Sequence, residues 1–575
     1  MSIEALRGRR LPIGRVRLEG QYLLFTILLA LVAVMVLLPI GIIVIKSFTI
    51  GGFGKPTIWS LAGWHEALDD PTMLASVWNS LRLLVGIEAI SIPTSVTIAW
   101  LLGRTDLPQR GALEFAFWIT FFLPALSVTL GWIVLLDPQS GLLNKLALSL
   151  PFIHAAPFNI YSFWGIIWAH LATSSISVKV MLLTPAFRNL DGSFEEAARV
   201  VGAGRLKTMV MVIVPLMLPA ILTVLTLAMI RAMQNFEIEM VLGPPFDFFV
   251  YGTKIYRLIE QEPPQFGAAT ALASIGLVII APMILMQRRL ITRRSYSSIT
   301  GRMRLAPMKL GRWRLPIFAT LLAFVVLVTV TPVSFLVVAS FMKLFGFFSI
   351  PHPFTIGQWS SVLQGQDFLA ALSSTLKMAT GAAVVAVVLC SLVAYFTVRS
   401  RYAGRGALDF LSWLPFSIPG ILLGLGLLQV FLGSPILRFL YGSITLLVVA
   451  IVIAGMTFGT QVLKTNMLQL GAELEDAARV TGATWWKTLR GVVVPIVMPS
   501  LILVGVLNFI SASRDISSVA LLATNNTKTL SLLQLDYMIE GRYEAAAVIS
   551  VVIVILTTGV AVIARLLGLR LGVRH

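Results

Sequence analysis

The chain has 575 residues, 57% of them hydrophobic and only 12% charged, with a mean hydropathy of +0.90. Soluble domains carry about a quarter charged residues, so this composition excludes a water-soluble globular protein and places the chain in a lipid bilayer. The 44 basic and 26 acidic residues leave a formal charge of +18, but the basic residues sit in short loops between apolar runs, which excludes nucleic acid as the partner and fits the positive-inside pattern of membrane proteins.

Crossing the hydrocarbon takes about 20 apolar residues. Twelve candidate runs begin near Tyr22, Leu81, Leu113, Tyr161, Met211, Ala268, Pro316, Met378, Ala407, Ile444, Val492 and Ala545. They are continuous and do not alternate, which argues against a β-barrel. The reading is an all-α integral membrane protein of about 12 transmembrane helices in two homologous six-helix halves. The first run, Tyr22 to Ile45, is too long for a signal-peptide core and lacks a small-x-small cleavage site, so it is expected to be retained. The single cysteine, Cys390, excludes an intrachain disulfide.

Arg7, Arg9, Arg10, Arg15 and Arg17 precede the first span, and Arg565, Arg570 and Arg574 follow the last. Between them, basic loops (Arg104, Arg110; Arg188, Arg199, Arg205, Lys207; Arg399, Arg401, Arg405) alternate with acidic or mixed ones (Glu237, Glu239, Asp247, Glu260, Glu262; Asp536, Glu540, Glu544). Arg288 to Arg314 carries nine basic residues and no acid. The expectation is a multi-pass protein of the bacterial inner membrane with both termini and this middle segment cytoplasmic. The expected boundaries are 1–290 for the first half, 291–315 for a solvated linker and 316–575 for the second half.

The halves repeat one another. Arg110-Gly111-Ala112-Leu113-Glu114-Phe115 returns as Arg405-Gly406-Ala407-Leu408-Asp409-Phe410, and Pro124 as Pro419. Further on, Glu195-Glu196-Ala197-Ala198-Arg199-Val200-Val201-Gly202-Ala203 returns as Glu475-Asp476-Ala477-Ala478-Arg479-Val480-Thr481-Gly482-Ala483. Lys207-Thr208, Pro215 and Pro219 follow the first copy; Lys487-Thr488, Pro495 and Pro499 follow the second. The register falls from 295 to 280, so the first half has about fifteen extra residues, placed in the loop from Asp137 to Asn159. An even number of spans per half makes the repeat parallel, about an axis along the membrane normal.

The repeated loop is polar between apolar spans. Ser193 and Glu196 fit a capping box, and Asp191, Glu195 and Glu196 favour the positive end of a new helix. Ala197 and Ala198 are small helix formers that let another surface approach closely. Gly202 suits a left-handed stop. The second copy has no serine cap and has Asp476 for Glu196, while Trp485-Trp486 suits an interfacial anchor.

This duplicated E-A-A, three residues, Gly pattern resembles the loop by which permease subunits of ABC importers dock on their ATPase. The resemblance covers essentially the whole chain and implies the type I importer transmembrane fold. Glu195, Glu196, Ala197, Ala198, Gly202, Glu475, Asp476, Ala477, Ala478 and Gly482 would form two coupling helices, one for each of two ATPase copies. The sequence has no Walker A motif: Gly54-Lys55-Pro56-Thr57 lacks the hydroxyl residue directly after Lys and falls in an external loop. ATP and Mg would therefore be used by the partner, with no cofactor bound by this chain, and a periplasmic or lipid-anchored solute-binding protein would deliver the cargo.

After the fifth span of each half, Gln234, Asn235 and Glu237 correspond to Arg514, Asp515 and Ser517. Such groups are costly facing lipid, so these are expected to line the translocation pathway. Glu88, alone in the second span, either lines a cavity or pairs with Arg82 or another helix. Gly420-x-x-x-Gly424 suits close packing. The five histidines have no metal-ligand spacing. The post-helix stretches look most like those of ferric-iron permeases, whose relatives carry thiamine, 2-aminoethylphosphonate or polyamines; the competing class is a twelve-helix secondary transporter.

Overall fold

A computed structural model describes residues 15–50, 58–292, 307–400, 402–471 and 473–566. The linker stretch 293–306, Arg7, Arg9, Arg10, Arg401, Arg570, Arg574, His575 and the Gly54-Lys55-Pro56-Thr57 segment lie outside the described residues. Helix dominates, because a backbone in hydrocarbon must satisfy its own amides and carbonyls. Ten described helices are long and apolar enough to cross a bilayer, and two bent pairs raise the number to twelve.

In the first half these are α1 (Arg15–Ser47), α2 (Pro71–Arg104), the bent pair α3 (Arg110–Phe122) and α4 (Ala125–Leu136), and α5 (Phe163–Arg188). The short α6 (Ser193–Val200), α7 (Met209–Ala232) and α8 (Phe266–Thr292) complete it. The second half repeats the order as α9 (Gly311–Ser340), α10 (Gln366–Arg399), the bent pair α11 (Arg405–Ser417) and α12 (Gly420–Gly433), and α13 (Ile444–Gln469). It ends with α14 (Glu473–Val480), α15 (Trp485–Arg514) and α16 (Tyr543–Leu566).

Two features differ from the sequence expectation. The second span of each half starts about ten residues early, at Pro71 and Gln366. In α2 the Asp70 carboxylate accepts the Thr72 N–H at 2.8 Å, and Asn79 Nδ2 donates to Phe249 O at 3.0 Å, so polar residues enter the helix with partners. The third span is broken, bending by 96° at Pro124 and by 110° at Pro419. Proline lacks an N–H and pushes the residue before it out of the helical region; Leu123 (ψ 134°) and Ile418 (ψ 120°) are extended accordingly.

The first helix of each half is exchanged. α1 packs on α12 and α9 on α4, across the pseudo-symmetry. The contacts are equivalent: a Cβ on Gly426 would overlap the Pro39 carbonyl, and one on Gly131 would overlap the Pro332 carbonyl. The chain arriving at α9 is also strapped to the end of α2, where Met308 N–H donates to Arg104 O (2.9 Å) and Leu310 N–H to the Asp106 carboxylate (2.8 Å). The first half's extra residues fall between α4 and α5, at 137–162 against 434–443 in the second half. There Asn144 accepts the Phe158 N–H at 3.0 Å, and Lys145 donates to Gly346 O of the second half at 2.9 Å.

If these glycine contacts hold the exchanged helices, Gly131→Val and Gly426→Val will each lower the midpoint of thermal unfolding in detergent, by the ~1–3 kcal/mol of an overpacked core. Gly41→Ala, where a Cβ meets nothing within 4 Å, serves as the control and is expected to leave the midpoint in place.

Candidate functional site: paired surface helices and the cleft between the halves

α6 and α14 each make two turns at the same end of their halves. α6 starts where the Asp191 carboxylate accepts the Ser193 N–H at 3.0 Å. Glu196 N–H closes on Gly192 O at 3.2 Å, so Ser193 is the first helical residue, and the capping side chain is Asp191, one residue before Gly192, in place of the expected Ser193–Glu196 box. Both helices stop in the same way. Gly202 (φ +78°) and Gly482 (φ +86°) are left-handed, and the next residue's N–H closes back on a carbonyl (Ala203 to Ala198 at 2.9 Å, Ala483 to Ala478 at 3.0 Å).

The helices are held from behind by equivalent arginines at the ends of the second spans. Arg104 Nε contacts Glu195 Oε1 at 2.7 Å and Nη1 donates to Leu190 O at 2.9 Å. Arg399 Nε contacts Glu475 Oε1 at 2.8 Å and Nη2 donates to Leu470 O at 2.9 Å. Glu195 and Glu475 are 3% and 6% exposed. They face their own half, a direction that the sequence reading of the two coupling loops does not assign. Ala198 is buried and Ala478 half-buried; Glu196, Ala197, Asp476 and Ala477 point outward.

In the second half Tyr395 Oη donates to Glu475 Oε2 and Trp485 Nε1 donates to Tyr395 Oη, each at 3.0 Å. Trp485 thus belongs to this network, and only Trp486, 61% exposed, faces outward. The outward tips are apolar: Val200 is 86% and Val480 88% exposed, with Phe194, Val201 and Leu474 also open. Sequence reasoning passed over these residues. The available signal was the spacing of Phe194, Ala197 and Val200, which share one helix face once Glu195 turns inward. The acid of the other repeated motif is paired too, Glu114 with Arg188 (2.8 Å) and Asp409 with Lys464 (2.5 Å).

At the far ends of α7 and α15, residues 231–240 and 511–520 run through the same succession of exposed, half-buried and buried positions. Gln234, Asn235, Glu237 and their counterparts Arg514, Asp515, Ser517 are half-buried, as are Met240 and Ala520. Two of them reach across to the bend of the opposite half. Gln234 Nε2 donates to Phe416 O at 2.7 Å, and Arg514 Nη1 donates to Phe121 O at 2.8 Å. Arg231 lies over the Phe416 ring at 5.0 Å and Arg514 over Phe121 at 5.3 Å. The Asp515 carboxylate accepts the Ser518 N–H at 2.9 Å.

Gly420 and Gly424 of α12 pack on Ser517 and Ser518, a close approach and no more. Glu88 pairs with Lys179 on α5 at 3.1 Å; Arg82 instead donates to the Asn79 side chain at 3.0 Å. Among the described residues no three His, Cys, Asp or Glu side chains are placed to hold a metal ion.

Comparison with known proteins bears on this arrangement. Residues 95–296 and 386–573 each match the family model described as "Binding-protein-dependent transport system inner membrane component". The probable ABC transporter permease protein y4fN of Sinorhizobium fredii is 28% identical, over 82% of this chain and 84% of its own. The putative ferric transport system permease protein FbpB 1 of Haemophilus influenzae is 26% identical, over 79% of this chain and 71% of its own. The sulfate transport system permease protein CysT of Escherichia coli is 30% identical, over 41% of this chain and 84% of its own. Among solved structures, a bacterial ABC transporter that imports alginate matches at 17% identity and a TM-score of 0.38, covering 46% of this chain and all of the other. With two such domains covering more than half of its length, the chain belongs to the family of inner-membrane components of binding-protein-dependent transport systems.

Proposed function

We propose that this chain is the complete translocation path of an ATP-driven importer, with two permease domains fused. Two copies of a separate ATPase subunit dock on α6 and α14, whose face is cytoplasmic together with both termini, and a periplasmic or lipid-anchored binding protein delivers the solute from the opposite side. ATP and Mg belong to the ATPase.

The observation that carries this reading is the doubled arrangement of a short helix clamped inward by a buried Arg–Glu pair while an apolar tip stays open. A transmitting element must be stiff towards its own span and free towards its driver. Removing one partner of a buried pair leaves an uncompensated charge, at a cost of ~3–5 kcal/mol, so Arg104 and Arg399 supply the stiffness. Val200 and Val480 supply the contact surface, since tips this apolar and this exposed suit burial against a partner.

The cleft between residues 231–240 and 511–520 is the passage. Its cross-half contacts, Gln234 to Phe416 and Arg514 to Phe121, close one half on the bend of the other and separate when the halves tilt. Ferric iron is the proposed cargo, supported by the likeness to the Haemophilus influenzae ferric permease. An oxyanion is the second reading, favoured by the likeness to the Escherichia coli sulfate permease and by Arg231 and Arg514 in the cleft.

Three experiments test the reading. Val200→Asp and Val480→Asp together should abolish co-purification of the chain with its ATPase while leaving its amount in the membrane unchanged; retained co-purification removes the docking role. Arg104→Ala with Arg399→Ala should let reconstituted complexes hydrolyse ATP while uptake falls about tenfold or more, and normal coupling would refute the clamp. Vesicles holding the whole complex, offered binding protein loaded with radiolabelled ferric iron or radiolabelled sulfate, should accumulate iron; accumulation of sulfate alone moves the assignment to the oxyanion.

A further inference from the structure

α5 and α13 occupy equivalent places, yet only α5 is broken. At Thr173 (φ −101°, ψ −120°) its backbone leaves helical values, inside a widened turn from Leu171 to Ser175; α13 runs unbroken from Ile444 to Gln469. A break in hydrocarbon frees carbonyls that need new donors. Thr173 Oγ1 donates to His170 O at 3.0 Å and Ser177 Oγ to Thr173 O at 3.1 Å; just beyond the break, Lys179 Nζ donates to Ser175 O at 2.9 Å and Ser95 Oγ of α2 to Ile176 O at 3.2 Å.

Charged partners flank the break on both sides. On one side Lys179, 3% exposed, meets Glu88 of α2 at 3.1 Å, and Ser91 Oγ donates to the second Glu88 oxygen at 3.4 Å. On the other, His170 Nε2 lies 2.6 Å from Glu239 Oε1. Glu239 is completely buried, and its Oε2 has no hydrogen-bond partner among the described residues. It sits on the short helix Glu237–Leu242, which continues directly from the cleft residues. The registers of 295 and 280 place Ala383, Gly459, Ala450 and Val519 at the four equivalent positions of the second half. The same fold therefore closes there with no charge at any of them. Four ionisable side chains inside one half are costly, and packing does not demand them.

We propose that Glu88 and Glu239 are positioning residues which clasp the break in α5 from its two sides and so set the helix Glu237–Leu242 against the cleft, in the first half alone. α2 carries both Glu88 and Arg104, so the bodies of α2 and α5 connect three separate ion pairs, one at α6, one at the break and one beside the cleft. The second half keeps the Arg399–Glu475 pair at α14 but has no charge at the positions equivalent to Glu88, Lys179, His170 and Glu239. The functional meaning rests on the pathway reading above, but the geometry is tested without cargo or nucleotide, so the two fail separately.

The test uses the full chain in native membranes, with Cys390→Ala and a single cysteine at Met240→Cys or at the equivalent Ala520→Cys, labelled with a membrane-impermeant maleimide. Glu239→Val, the residue of the other half, is expected to raise the labelling rate at position 240 about tenfold and leave position 520 unchanged. Lys179→Glu should do the same, and adding Glu88→Lys should restore the original rate, which a loss of packing would not. The pair His170→Ala with Glu239→Val leaves no unpaired charge and keeps the test open should a single variant fail to insert; it too should loosen position 240. An unchanged rate at 240, equal rises at 240 and 520, or no recovery in the exchanged pair overturns the proposal.

Discussion

The architecture turns on an arginine at the C-terminal end of a long span meeting a buried glutamate on a short helix. Arg104–Glu195 and Arg399–Glu475 each join the second span of a half to the segment between its fourth and fifth spans. Each arginine also takes the carbonyl just before the helix, Leu190 or Leu470. A single cation thus pairs with a carboxylate and donates to a backbone carbonyl, which ties the helix to its span. Without that pair, a helix of only two turns is too short to hold its shape in water.

Around these pairs the two halves are knitted together. Each contributes its first helix to the other, with a glycine of the bent span leaving the space that a proline carbonyl occupies. Each also reaches the other's bend at the cleft, through Gln234 or Arg514. The bends themselves come from Pro124 and Pro419, which free the carbonyls that those side chains capture. In the proposed importer, relative tilt of the halves must therefore break cleft contacts while the exchanged helices keep the halves engaged.

Symmetry is obeyed at the surface helices and the cleft and broken in the membrane interior. The first half has a kinked α5 with buried charges; the second has an unbroken α13 with none of them. The second half instead adds Tyr395 and Trp485 behind Glu475. Polar groups were thus distributed differently about a common backbone plan, near the passage in one half and near the surface helix in the other.

Much of this was legible in the residues. Continuous apolar runs dictate helices of spanning length, the 295 and 280 registers dictate two like halves, and Gly202 and Gly482 dictate left-handed stops, because each depends on local chemistry. The breaks at Pro124 and Pro419 also have a local cause, but the sequence reading takes each third span as unbroken, and the size of the bend is not local. The direction of each side chain was not legible. Glu195 and Glu196 are adjacent and chemically alike, yet one is buried on Arg104 and the other faces outward. Arg104 stands 91 residues away, and no local pattern pairs them. The partners of Glu88, Glu239 and Gln234 were hidden for the same reason: a charge in hydrocarbon takes whichever complementary group the packing of distant helices brings within about 3 Å, and only the assembled bundle decides which group that is.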